Sequence, residues 1–233
     1  MNKINYSKFI EEESDDIKKL VNSIFNHPLI TDHDNRKWID YKSRSFGCTD
    51  GGTITLYENE VENSVRGVVY IIKLLKKYNP KKIMEVGMNA GSFSLISKLT
   101  LDDVKIYTVD REQDFIDRKN QINEYFEEPL ITLFSGNCND GLFREWLKMS
   151  KTSFDFAWID GNHSEEVATY DIETALMMNV PIIGCDDCGP ELFTGVWDSV
   201  NKLSQKGLIQ IIGESNIVDN VGAITLVKNL KCQ

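Results

Sequence analysis

Three aspartates and one histidine have the residue types and spacing for chemistry. Asp160 stands in the segment Trp158-Ile159-Asp160-Gly161-Asn162-His163-Ser164, after an apolar run, and Asp186-Asp187 follow a second apolar run at residues 180–184. Such runs read as buried strands. Neighbouring strands lie about 4.8 Å apart, so carboxylates at their ends can converge on one ion. Oxygen ligands with no local Cys/His set favour Mg²⁺, Mn²⁺ or Ca²⁺ over Zn²⁺. Without a cation, adjacent carboxylates repel and at least one pKa rises. The competing reading has Asp160 capping the next helix and Asp186 and Asp187 facing solvent. Their shared place at strand ends favours the ion. His163 lies three residues beyond Asp160. A neutral imidazole there can accept a proton from a hydroxyl, and its alternative role is a polar residue opening a helix.

A second stretch, KKIMEVGMNAGSFS at residues 81–94, reads as a strand, a glycine turn and a helix. Glycine lets the backbone turn sharply and a ligand approach closely. The helix N-terminus offers free N–H groups. The pattern is E-x-G-x-x-x-G, formed by Glu85, Gly87 and Gly91, with Asn89 at the middle position. An acidic residue beside the turn disfavours a pyrophosphate and suits a ligand with an amino group. Asp110 ends the next strand, about 20 residues on, where a carboxylate can accept hydrogen bonds from ribose hydroxyls. The competing reading has it end the strand and cap a helix; the clean strand before it favours the ribose. Asn137, after the third strand, suits an adenine edge and a plain turn equally.

These residues need a frame. The alternation from residue 59 onward predicts strands at 83–86, 105–109, 130–134, 154–159 and 180–184, each followed by a helix. Two final strands, 208–212 and 223–227, have no helix between them and should pair antiparallel. This predicts a doubly wound, mostly parallel, seven-stranded sheet with helices on both faces, whose ligands bind at the carboxyl ends of the strands. Upstream, residues 14–25 read as an amphipathic helix capped by Ser14 and ended by His27-Pro28. Residues 1–58 form an N-terminal extension, and residues 59–233 the main domain. A lid and a homo-oligomer contact both fit the extension. His33 between Asp32 and Asp34 reads as a solvated loop.

Composition narrows the partners. The chain has 233 residues and a formal net charge of −10, which argues against a general nucleic-acid binder. No apolar run approaches the roughly 20 residues of a membrane helix, and no apolar signal core opens the chain, so a cytoplasmic location is expected. Five cysteines without a secretion signal suggest free thiols. Cys185 and Cys188 form a C-x-x-C that reads as packing before redox chemistry.

The combination resembles the class I S-adenosylmethionine-dependent methyltransferases over roughly residues 60–228. The 85–92 turn is similar to that of catechol-type O-methyltransferases. The 158–164 segment looks like that of macrolide-sugar O-methyltransferases and cephalosporin-hydroxylase-like proteins. The resemblance implies a Rossmann-like transferase that binds magnesium or a similar ion and S-adenosylmethionine. It would methylate a hydroxyl of a small molecule or sugar. The implied cofactor residues are Glu85, Gly87, Asn89, Gly91, Ser92, Asp110, Arg111, Asn137 and Asp160. The implied metal ligands are Asp160, Asp186 and Asp187, and the implied catalytic residues are His163, as base, and Asp160. A hydroxylase-like enzyme and a non-catalytic cofactor-binding module are the alternatives. A dehydrogenase fits less well, because G-x-G-x-x-G is missing.

Overall fold

The computed structural model describes residues 6–31, 45–46, 54–55, 61–89, 91–110, 114–190, 194–215 and 223–232. Seven strands form one sheet: β1 Lys82–Val86, β2 Lys105–Asp110, β3 Ile131–Ser135, β4 Phe156–Ile159, β5 Ile182–Cys185, β6 Ile209–Ser215 and β7 Ile224–Asn229. Their order is β3-β2-β1-β4-β5-β7-β6. The first five strands run parallel, and β7 inserts antiparallel between β5 and β6. The strand order reverses between β1 and β4, which opens a crevice at the carboxyl ends of those two strands. A separate two-stranded ribbon pairs Ser45–Phe46 with Ile54–Thr55. Among the described residues, no helix is long and apolar enough to cross a membrane.

The helices are α1 Asp15–Phe25, α2 Pro28–Thr31, α3 Val61–Tyr78, α4 Ser92–Thr100, α5 Asp114–Tyr125, α6 Leu142–Ser150, α7 Glu165–Met177 and α8 Thr194–Gln205. They divide into two layers. The apolar faces of α1, α3, α4 and α5 share one core with Ile83 of β1. Those of α6, α7 and α8 share the other with Met84 and Val86. The period-2 alternation of β1 thus feeds both layers. Glu85 points to the same side as Ile83, into the layer that contains α4.

The Ser14 hydroxyl caps α1 by accepting the Ile17 N–H at 3.4 Å. Pro28 does more than end that helix, because it starts the short helix α2. Proline suits a first helical position, where its missing N–H costs nothing. The N-terminal helices are held from α5. The buried Arg118 guanidinium donates to the Leu29 carbonyl at 3.1 Å. The His27 ring meets Tyr125 edge-on at 4.8 Å, and its Nδ1 accepts the Leu29 N–H. Burial pushes the Arg118 pKa down to about 9.

Candidate active site at the β1–β4 crevice

The glycine turn forms as its residue types require. Gly87 has φ +86, and an added Cβ would lie 1.9 Å from the Asp160 carbonyl oxygen. No larger residue fits there, because the β1 turn and the β4 loop touch at this point. Asn89 takes a left-handed conformation, φ 47, which Asn tolerates better than most residues. Its N–H donates to Asp110 Oδ2 at 2.9 Å. Asp110 therefore braces the turn. Gly91 is the N-cap of α4, and Ser92 opens the helix, as its position implied. Asn137 is exposed in the loop after β3, and Arg111 lies outside the described residues.

Glu85 is fully buried between the sheet and α4. Ser94 donates its hydroxyl to Glu85 Oε2 at 3.2 Å, and Thr108 stands level with it on β2. Burial pushes the Glu85 carboxyl up to about 8, and these two hydroxyls only partly offset that rise. Its acid group sits under the turn and does not protrude from it.

At the ends of β4 and β5, donor atoms of Asp160, His163 and Asp187 lie within 4.8 Å of one another. His163 Nε2 is 3.0 Å from Asp187 Oδ2. Asp187 is 1% exposed, and neither of its carboxylate oxygens accepts a hydrogen bond. A buried carboxylate needs a positive partner, which a protonated His163 or a bound metal ion would supply. Asp187 also holds φ 52, a costly backbone for a non-glycine residue, which swings its side chain toward the β4 loop. Asp186 is buried as well, but it is not in the group, so the structure gathers a different trio from the three aspartates expected. Two carboxylates and an imidazole fit a divalent cation. The loop carrying His163 is fixed from outside by α8, since an added Cβ on Gly195 would meet the His163 carbonyl at 2.3 Å. Ser164 occupies the N-cap of α7 but makes no side-chain cap bond; its N–H donates instead to Asn162 Oδ1 at 2.9 Å.

Asp171 on α7 is a buried acid that the strand-end reading misses. It is 1% exposed and lies under Gly161, with the Cys138 thiol as its hydrogen-bonding neighbour. Burial pushes its pKa up to about 7. Burial, with Asp171 beside it, also raises the Cys138 thiol well above its usual value. The signal for Asp171 is an acid on the stripe Ala168, Ile172, Ala175, where a helix should be apolar. Cys185 and Cys188 are buried in the core, and burial raises the Cys185 thiol, which fits packing and not redox chemistry.

Residues 84–188 match the family described as "Methyltransferase domain". With the sheet order and the glycine turn, this defines the fold: the Rossmann-like methyltransferase fold. Among solved structures, the chain is similar to the Podospora anserina methyltransferase PaMTH1 bound to S-adenosylhomocysteine. The TM-score is 0.59 at 16% identity, covering 96% of this chain and 93% of that one. It is also similar to a Bacillus cereus O-methyltransferase in complex with S-adenosylhomocysteine, with TM-score 0.58, 13% identity and 96% of each chain covered. A third is the Streptomyces achromogenes O-methyltransferase TomG, involved in tomaymycin synthesis and bound to S-adenosylmethionine. Its TM-score is 0.55 at 17% identity, covering 69% of this chain and 78% of that one. No curated protein sequence gives a significant match.

Proposed function

We propose that the protein is a divalent-metal-dependent O-methyltransferase acting on a hydroxyl of a small molecule or sugar. One observation carries this reading: Asp160 belongs to both halves of the site. Its carbonyl packs on Gly87 of the cofactor turn, and its carboxylate joins His163 and Asp187. A methyl donor seated on the turn and an acceptor oxygen drawn to the acidic cluster would therefore be neighbours. The similarity to O-methyltransferases from Bacillus cereus and Streptomyces achromogenes supports the same acceptor atom.

The residues divide the work. Asp110 and the α4 N-terminus would hold the cofactor's ribose and polar end, and Glu85 would stiffen the turn from below. Asp160 and Asp187 would hold the cation, which when bound supplies a Lewis acid for oxygen chemistry. The sulfonium methyl is already electrophilic, so the protein's main task is alignment. Calorimetry with S-adenosylhomocysteine, followed by methyl-transfer assays on hydroxyl acceptors with and without EDTA, tests the reading. Methyl transfer that persists in full in EDTA would remove the cation. Cofactor binding without transfer to any hydroxyl acceptor would favour a binding module.

A further inference from the structure

We propose that His163 is a metal ligand through Nε2. With Asp160 and Asp187 it would complete a mixed nitrogen–oxygen site for a later first-row transition ion such as Fe²⁺ or Co²⁺. This rests on the reading above that the cluster takes a cation, and it changes both the residues that bind and the ion they select.

The argument starts from the direction of the ring. A general base must present its acceptor nitrogen to the substrate. Here Nε2 faces a fully buried carboxylate at 3.0 Å. That separation is the edge of an octahedron with bonds of about 2.1 Å, which is about 3.0 Å. Two neighbouring donors around one ion adopt that spacing, as does an imidazole–carboxylate ion pair. Asp187 is the second observation. Its side chain is fully buried, neither oxygen accepts a hydrogen bond, and one oxygen is aimed at the histidine. The loop is also built for precision. Gly195 of α8 packs on the His163 carbonyl, and the Asn162 side chain closes the turn onto the Ser164 N–H. A ligand held on both sides loses little entropy on binding.

The donor set then decides the ion. Three carboxylates would suit Mg²⁺ or Ca²⁺, whereas imidazole suits later first-row ions. Asp186, the residue that would make the set all-oxygen, stands outside the group, with its N–H on the Ile159 carbonyl at 2.9 Å.

The test uses metal-stripped full-length protein saturated with S-adenosylhomocysteine. Mn²⁺, Co²⁺ and Mg²⁺ are titrated by calorimetry, and the Co²⁺ form is followed by its visible spectrum. The wild type should bind Co²⁺ at least about tenfold more tightly than Mg²⁺. His163→Ala should lose more Co²⁺ affinity than the about 10–100-fold that outer-shell changes cost, and the Co²⁺ spectrum should shift. Asp186→Asn should lose less than His163→Ala. His163→Asp supplies oxygen in place of nitrogen. It should regain Mg²⁺ binding relative to His163→Ala while lacking the Co²⁺ preference, a gain that a purely structural histidine would not give. His163→Ala protein that binds Co²⁺ and Mg²⁺ as the wild type does, yet turns over slowly, would make His163 the base and overturn the proposal. Wild type that binds S-adenosylhomocysteine but no metal would overturn the cation reading itself, a distinguishable failure.

Discussion

The turn after β1 and the mouths of β4 and β5 solve different problems. The turn is a backbone device. Its demands are local: positive φ at Gly87, Asn89 and Gly91, and one acceptor, Asp110, for the Asn89 N–H. The mouths are a side-chain device. Their content depends on which of several acids points at which loop, and sequence neighbours separate there: Asp187 joins the cluster and Asp186 does not. The first kind of site is set by local conformational preference, the second by strand register and one strained residue. The two should therefore fail differently when broken.

The largest effect is expected where the two regions touch. Gly87→Ala adds a Cβ 1.9 Å from the Asp160 carbonyl and forces positive φ on alanine. It should destabilise the fold by about 3 kcal/mol, read as a lower denaturation midpoint, and weaken cofactor binding with it. A stable Gly87→Ala protein with normal affinity would mean that turn and mouth are independent. Next, Asp160→Ala should remove the mouth and spare the turn. Methyl transfer should fall at least about 100-fold while S-adenosylhomocysteine affinity changes little, as rate assays and calorimetry on the same preparation will show. Asp110→Ala is the converse. Losing the acceptor of the Asn89 N–H should weaken cofactor binding by about 1–3 kcal/mol and leave metal affinity in place.

The smallest effect sharpens the contrast through pH. Glu85 under the turn and Asp171 under the mouth are both held neutral by burial, with pKa values pushed up to about 8 and about 7. In each case the folded state binds the proton more tightly than the unfolded chain. Each group's stabilisation is thus fully present below the unfolded pKa of about 4 and is lost as pH rises toward the folded value. Stability should decline as pH rises from about 4 to about 8 through Glu85, and from about 4 to about 7 through Asp171. Glu85→Gln should flatten the melting-temperature profile up to pH 8, and Asp171→Asn only up to pH 7. Identical profiles in wild type and both variants would show that neither acid is held neutral.

Most of the frame was legible in the sequence. The five strand–helix alternations and the final antiparallel pair fall within a few residues of their predicted bounds, because each strand is a short apolar run closed by polar turn residues. The insertion of β7 between β5 and β6 was not legible, since periodicity gives element type, the missing helix gives only relative direction, and neither gives the neighbours. At the site, Gly87, Gly91 and Asp110 announce themselves through local rules. The meeting of His163 and Asp187 does not, because it depends on the left-handed backbone at Asp187, where a non-glycine residue gives no warning. Asp171 and Arg118 escaped for another reason: each is a charged residue on a buried helix face, where the surrounding apolar pattern hides it.

The attachment of Leu29 to Arg118 bears on the order in which the protein is made. The two residues are 89 positions apart in the chain. At about 5–20 residues per second, the N-terminal helix leaves the ribosome roughly 5–20 s before its anchor on α5 exists. During that interval α3 and α4 emerge, and they pack on the apolar face of α1 formed by Ile17, Val21, Ile24 and Phe25. Arg118 is thus a late clamp on a helix that α3 and α4 already cover.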